Sequence, residues 1–160
     1  MNRYLRWATM LALLTHVTLA CAAPLAVGDT LQLPRLEDQH GNAFDVAPTT
    51  RTLLFAADKA ASDLVTQAFE GLTAERIEAL QLRYVADISA MPALVTSMFA
   101  LPALRKRPYP VGLVRDAAIT GELPREDGSV TVLRLEGGRI TALAYPATPA
   151  ALRRVLGLSE

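Results

Sequence analysis

Short apolar segments alternate with polar turns along most of the chain. The segments typical of strands occupy residues 36–46, which form a hairpin pattern, then 52–57, 80–86 and 111–114, and finally 130–135 with 140–145, a second hairpin pattern. Apolar residues at helical spacing predict helices over residues 60–79, with a break near Gly71, over 92–104 and over 149–156. This order predicts an α/β fold with three layers, a mixed central sheet and an N-terminal β-hairpin.

The first 22 residues have the pattern of an export signal. Arg3 and Arg6 form a basic start, residues 8–19 are largely apolar, and small residues follow. A membrane-spanning helix needs about 20 mostly apolar residues, and this stretch is shorter. Ala20 and Ala22 make the A-x-A pattern, which places cleavage between Ala22 and Ala23. The sequence therefore predicts a signal peptide over 1–22, a single domain over 26–158, and a periplasmic location.

Cys21 is the only cysteine of the chain, and its fate has two alternatives. Cleavage after Ala22 removes it, so that the mature protein contains no thiol. Acylation of Cys21, as in a bacterial lipoprotein, would instead anchor the protein to a membrane, although the preceding Thr18, Leu19 and Ala20 match that motif weakly. A membrane contact is expected only if Cys21 is acylated or the signal remains uncleaved.

The charge balance excludes one class of partner. Loss of Arg3 and Arg6 with the signal leaves 14 basic and 16 acidic side chains, a net charge of −2. A nucleic-acid surface needs clustered Lys and Arg to neutralise phosphates, and the only basic run is Arg105-Lys106-Arg107. The sequence predicts no nucleic-acid partner, and an envelope protein or a small ligand is expected instead.

Several pieces of the chain carry a family resemblance. They are the hairpin pattern Leu36-x-Asp38-Gln39-x-Gly41, the strand Leu53-Leu54-Phe55, and the strand Val130-Thr131-Val132-Leu133 followed by Gly137-Gly138 and Ile140. In this order they resemble the thioredoxin-like superfamily, in particular its peroxiredoxin-type branch. More narrowly, residues 85–92 and 108–111 resemble a group of small exported bacterial proteins, some of which carry automatic names as FAD- or FMN-containing dehydrogenases.

The resemblance implies a thioredoxin-like fold but does not supply its chemistry. Thioredoxin-type activity requires a low-pKa thiolate at the start of the helix after the first core strand, and residues 57–63 contain no sulfur. A flavin or nicotinamide site would need a glycine-rich turn between a strand and a helix, whereas Gly137-Gly138 lies in a predicted hairpin. His40 would be the only histidine left after processing, which makes a zinc site improbable. We predict no cofactor and no metal.

Three aspartates form the first candidate site. Asp58, Asp87 and Asp116 each follow a predicted strand, and parallel strands would place the three carboxylates along one edge of the sheet. Such a group could bind a ligand, hold Mg²⁺ or Ca²⁺, or perform acid–base chemistry. The alternative, which we favour, is that each aspartate caps a helix or a turn through its backbone N–H groups.

The segment from Met91 to Tyr109 forms the second candidate site. Its apolar residues Met91, Met98, Phe99, Leu101 and Leu104 precede the basic run. An adaptable apolar surface beside cations is typical of protein docking, and the residues predicted to contact a partner are Met98, Phe99, Arg105, Lys106, Arg107 and Tyr109. The alternatives are a core-facing helix and cations that complement a helix C-terminus. Pro102 is expected to kink or end the helix.

The sequence favours an exported, thioredoxin-like protein without thiol chemistry that binds a protein or a small ligand in the periplasm. The alternative is an enzyme that works without cysteine, either an oxidoreductase with a flavin or an enzyme assisted by a metal at the three aspartates.

Overall fold

The structure is a computed structural model, and it describes residues 23–158. The predicted signal peptide, its cleavage after Ala22 and the fate of Cys21 lie outside the described residues. Within the described residues, no helix is long and apolar enough to cross a membrane.

Between residues 23 and 158, seven strands form one mixed sheet. They are β1 (Leu36–Glu37), β2 (Ala43–Phe44), β3 (Thr52–Ala56), β4 (Leu82–Asp87), β5 (Gly112–Val114), β6 (Thr131–Glu136) and β7 (Arg139–Ala144). Their order across the sheet is β2-β1-β5-β4-β3-β6-β7. The central strands β3, β4 and β5 run parallel, and the flanking strands are antiparallel to their neighbours. The predicted mixed sheet and both hairpins are confirmed.

Helices lie between the parallel strands and after the last strand. They are α1 (Lys59–Ala68), α2 (Ala74–Ala79), α3 (Ala93–Val95), α4 (Leu101–Arg105) and α5 (Pro149–Val155), with a π-helical segment at Thr96–Ala100 and a 3-10 helix at Ala117–Thr120. Asp58, Thr73 and Thr148 begin α1, α2 and α5, and each side chain accepts a hydrogen bond from a backbone N–H in the first turn. Gly71 lies at the predicted break between α1 and α2, with a φ of +79°.

Pro102 does not end the helix, contrary to one of the two expectations. Proline lacks the N–H that would bond to the carbonyl four residues earlier, and its ring crowds that carbonyl. Here Pro102 lies in the first turn of α4, directly after the wider π-helical turn, and the helix continues to Arg105. The first turn of an α-helix tolerates a proline, so Pro102 is compatible with α4. The loop begins only after Arg105.

Apolar side chains pack on both faces of the sheet. On one face α1, α2 and α5 cover Leu54, Tyr84 and Val132. On the other face Phe55, Val85 and Leu133 meet the N-terminal segment, and the 3-10 helix adds Ile119. Alternate residues of one strand, such as Leu54 and Phe55, thus face opposite layers. Both faces of β3 are covered, which explains why all five of its residues are buried.

A buried glutamine connects the N-terminal hairpin to the chain before β5. Only 2% of the surface of Gln39 is exposed. Its side-chain Nε2 donates to the carbonyl of Tyr109 at 2.9 Å, and its Oε1 accepts from the backbone N–H of Val111 at 2.8 Å. The guanidinium of Arg105 donates through Nε to the backbone carbonyl of Gln39 at 2.9 Å. Gln39 therefore fixes the segment that runs from the end of α4 to β5.

Replacement of Gln39 by Ala should lower the free energy of unfolding by about 2–6 kcal/mol, because two buried backbone groups would lose their partners at about 1–3 kcal/mol each. Urea unfolding followed by circular dichroism measures this change. Gln67→Ala, on the exposed face of α1, is the matched control and should change the free energy by about 0.5 kcal/mol or less. Equal effects of the two substitutions would show that the Gln39 bonds do not stabilise the fold.

Candidate functional site

A groove opens at the carboxyl edge of the parallel strands, between the start of α1 and the helical segment 93–105. Its volume is about 290 Å³. The start of α1 provides Asp58 and Ser62, the end of β4 provides Asp87, and the helical segment provides Val95 and Phe99. Most of the wall is apolar, and its polar groups come from the start of α1, the end of β4 and Arg107 after α4. This edge is where open α/β sheets place their ligands.

Two of the three predicted aspartates line the groove, and both are engaged with the protein. Asp58 Oδ1 accepts from the N–H of Ala61 at 2.7 Å, and Asp58 Oδ2 accepts from the N–H of Gly128 at 3.2 Å. Asp87 Oδ1 accepts from the N–H and hydroxyl of Ser89 at 2.9 and 2.6 Å, and its Oδ2 accepts from the Thr120 hydroxyl at 3.0 Å.

Asp116 is exposed and is not among the residues that line the groove. Its carboxylate accepts from the N–H of Ala118 at 3.0 Å, at the start of the 3-10 helix. All three aspartates therefore have the capping and turn-forming contacts of the alternative interpretation. Among residues 23–158, no group of three or more His, Cys, Asp or Glu side chains is arranged to hold a metal ion.

Four large apolar side chains are exposed beside the groove. They are Leu94, Val95, Met98 and Phe99, with 69%, 43%, 59% and 67% of their surface accessible, and we call them the apolar surface. They occupy α3 and the π-helical segment, an element that is frequently found at functional sites. Val95 and Phe99 also line the groove, whereas Leu94 and Met98 extend the surface beyond it. The sequence had named Met98 and Phe99.

The remaining partner candidates separate into different environments. Arg105 and Lys106 are exposed, although Arg105 is also bonded to the carbonyl of Gln39. Arg107 is half-buried and lines the groove. Tyr109 is 5% exposed and packs edge-on against Phe69, with ring centroids 5.4 Å apart. Tyr109 thus belongs to the core and does not lie on the apolar surface.

Arg107 connects α1 to the core below the groove. Its Nη2 donates to the hydroxyl of Thr66 at 2.5 Å, and its guanidinium carbon lies 5.8 Å from the centre of the Tyr84 ring. The Tyr84 hydroxyl donates to Ser62 Oγ at 3.0 Å. Burial raises the pKa of Tyr84, and the hydrogen bond to Ser62 and the charge of Arg107 only partly oppose this effect.

The sequence named Met98 and Phe99 but missed Leu94 and Val95, the other two members of the apolar surface. Leu94 and Met98, like Val95 and Phe99, are four residues apart, so helical spacing could have indicated two adjacent exposed rows. The contact between Arg107 and Thr66 joins residues 41 positions apart, and no local pattern reveals it. Lys59, Ser62 and Asp63 reach the groove because they lie in the first turns of α1.

Comparisons with known proteins identify the fold. Peroxidoxin BcpB from Mycobacterium tuberculosis is 15% identical, with 84% of this chain and 96% of that chain covered and a TM-score of 0.56. Reduced Prx3 from Vibrio vulnificus, in complex with hydrogen peroxide, is 17% identical, with 83% and 96% covered and a TM-score of 0.53. The thioredoxin domain of a thiol-disulfide oxidoreductase from Bacteroides vulgatus is 11% identical, with 82% and 99% covered and a TM-score of 0.50.

The chain therefore has a thioredoxin-like fold, as the resemblance implied. No family model matches the chain, and no curated protein sequence matches it. The fold is shared with thiol-disulfide oxidoreductases, but Ala57 and Asp58 occupy the turn from β3 into α1 where the thiolate of such enzymes would lie. The only cysteine, Cys21, precedes the described residues.

Replacement of Asp87 by Asn should lower the free energy of unfolding by about 1–3 kcal/mol, because the amide cannot accept all three of the present hydrogen bonds. Asp116→Asn is the control, because Asp116 is exposed and accepts one hydrogen bond, from the N–H of Ala118. This substitution should lower the free energy of unfolding by less than about 1 kcal/mol. The stability of both variants is measured by thermal unfolding. The measurement is repeated with millimolar Mg²⁺ or Ca²⁺, because a bound ion would raise the Tm. An increase in Tm with either ion, lost in the Asp87 variant, would contradict the capping role.

Folding stability should decrease as the pH rises above about 10. The pKa of Tyr84 is higher in the folded protein than the ordinary tyrosine value of about 10. Its contribution to stability is therefore complete below that value and is lost as the pH rises towards the folded-state pKa. Urea unfolding between pH 8 and 11 should show a smaller decrease for Tyr84→Phe than for the unchanged protein. An unchanged decrease would contradict this role, and Tyr145→Phe, at a less buried tyrosine, is the control.

Proposed function

We propose that this protein is an exported, periplasmic thioredoxin-like domain that binds another envelope protein and performs no thiol exchange. The apolar surface is the observation that carries this proposal, because four large apolar side chains are exposed on one short helical segment. Isolated exposed apolar residues are common, whereas a contiguous group marks an interaction site. Export is supported by the basic, apolar and small-residue pattern of residues 1–22.

The extent of the surface favours a protein partner over a free small ligand. A small ligand would be enclosed by the groove, which contains Val95 and Phe99 but not Leu94 or Met98. All four side chains can be covered together only by a larger partner. We infer that an apolar segment of that partner crosses the surface and inserts a side chain into the groove. Met98 is flexible and polarizable, which allows the surface to adapt to the side chain it receives.

Site-specific photo-crosslinking in the periplasm of a native-like bacterial host tests this function. A photoreactive phenylalanine analogue at position 99 should give a defined crosslinked product, because it preserves the aromatic contact. The same analogue at Ala142, an exposed position on β7, is the control and should give none. Equal products at the two positions would overturn the proposed surface.

A double substitution, Leu94→Ser with Met98→Ser, should reduce the crosslinking yield at position 99 about tenfold or more, because a few buried apolar anchors dominate the binding energy of interfaces. Both side chains are exposed, so the Tm should change little. The mass of the crosslinked protein identifies the partner. A yield that the double substitution leaves unchanged would contradict binding through the apolar surface.

A further inference from the structure

Arg107 has an unsatisfied donor. Its Nη2 is bonded to Thr66, and Nη1 is shielded from solvent and has no hydrogen-bond partner, although the guanidinium is near enough to the hydroxyls of Tyr84 and Tyr109 to oppose the rise in the pKa of each. Among residues 23–158 it is the one buried side-chain nitrogen or oxygen in this condition. Buried polar groups nearly always find a partner, and an arginine can donate five hydrogen bonds but accept none. The missing partner must therefore be an acceptor.

Arg107 also has no counter-ion within the described part of the chain. The ion pairs found there join Arg35 to Asp45 and Lys59 to Asp63. The groove contains three aspartates, but Asp63 is paired with Lys59, and Asp58 and Asp87 accept hydrogen bonds from the protein. Partial burial of a charge is costly unless the charge is paired. An anionic group in the groove would provide both the charge and the acceptor that Arg107 lacks.

We infer that the groove receives the C-terminus of the partner polypeptide, with its last side chain apolar and its terminal carboxylate bound by Arg107. This inference depends on the proposed function, since it specifies which part of the partner enters the site. A carboxylate matches the planar guanidinium with two parallel hydrogen bonds, and capture of a C-terminal carboxylate is a known mode of peptide recognition. Arg107 lines the groove, so a carboxylate bound there would lie beside the guanidinium.

The size of the groove favours a chain end over an acidic side chain within a continuous segment. Its volume of about 290 Å³ is near the lower limit of ligand pockets, about 300 Å³. This volume accommodates one apolar side chain and a terminal carboxylate. An acidic side chain of a continuous segment would have to bring its own methylene groups into this volume beside the apolar side chain, whereas a terminal carboxylate is attached directly to the last Cα.

A matched pair of peptides tests this inference. N-acetylated pentapeptides that end in Leu-Phe, one with a free C-terminal carboxylate and one with a C-terminal amide, are titrated into the protein recovered from the periplasm, and their dissociation constants are measured by calorimetry. The free carboxylate should bind at least about tenfold more tightly, as expected for a charge-assisted bond. In Arg107→Gln this preference should disappear, and in the control Lys106→Gln it should remain.

A second variant keeps the inference testable if Arg107→Gln does not fold. Ala103→Phe narrows the groove from α4 but keeps the guanidinium, and it should weaken both peptides while leaving the circular dichroism spectrum unchanged. Equal affinity for the two peptides, or a preference that persists in Arg107→Gln, would overturn the inference. Binding of decanoate that depends on Arg107, without binding of either peptide, would assign the groove to an acyl chain and would also overturn it.

The crosslink at position 99 separates the two proposals. If the peptides show no carboxylate preference but the crosslinked partner is still obtained, the C-terminal inference fails and the proposed function stands. If the crosslink is also absent, the proposed function fails as well.

Discussion

The buried side chain of Gln39 is the constraint on which the proposed site depends. In the segment after α4, Pro108 and Pro110 cannot donate backbone hydrogen bonds, so side-chain contacts hold this segment in place. Gln39 binds both Tyr109 and Val111 through its amide, and its own carbonyl accepts from Arg105. Arg107 lies between these attachment points. The position of Arg107 in the groove therefore depends on Gln39, which lies in the N-terminal hairpin.

The aspartates at the carboxyl edge have a complementary structural role. Asp58 connects the start of α1 to Gly128 in the loop before β6, and Asp87 connects the end of β4 to Thr120. Loops at a sheet edge are normally mobile, and these bonds hold three of them together. A site whose wall is already fixed loses less conformational entropy when it binds. In this protein the groove at the carboxyl edge is thus bordered by hydrogen-bonded aspartates on one side and by exposed apolar side chains on the other.

Much of the fold could be predicted from the sequence because its periodic signals are local. The apolar runs of β3 and β5 and the helical spacing of α1 record burial directly. The π-helical segment was missed, since its residues have the same composition as an ordinary helix turn. The 3-10 helix at Ala117–Thr120 is short and has no periodicity to detect.

The candidate site was less predictable because it depends on long-range contacts. The sequence named Met98, Phe99 and Arg107, but Tyr109 proved to belong to the core, since an aromatic residue between two prolines carries no signal of its burial. The pairing of Arg107 with Thr66 and Tyr84 arises only when α1 and the loop after α4 pack together. The unsatisfied donor that distinguishes Arg107 from Arg105 and Lys106 is therefore a property of the fold.

The central claim is that the edge formed by α1 and the helical segment 93–105 binds a protein partner. Amide hydrogen exchange, measured by mass spectrometry on the protein alone and in complex with the partner identified by crosslinking, tests it most directly. The account predicts slower exchange in residues 58–66 and 91–107, and unchanged exchange in β7. Slower exchange confined to β7 and the N-terminal segment, with residues 91–107 unaffected, would contradict it.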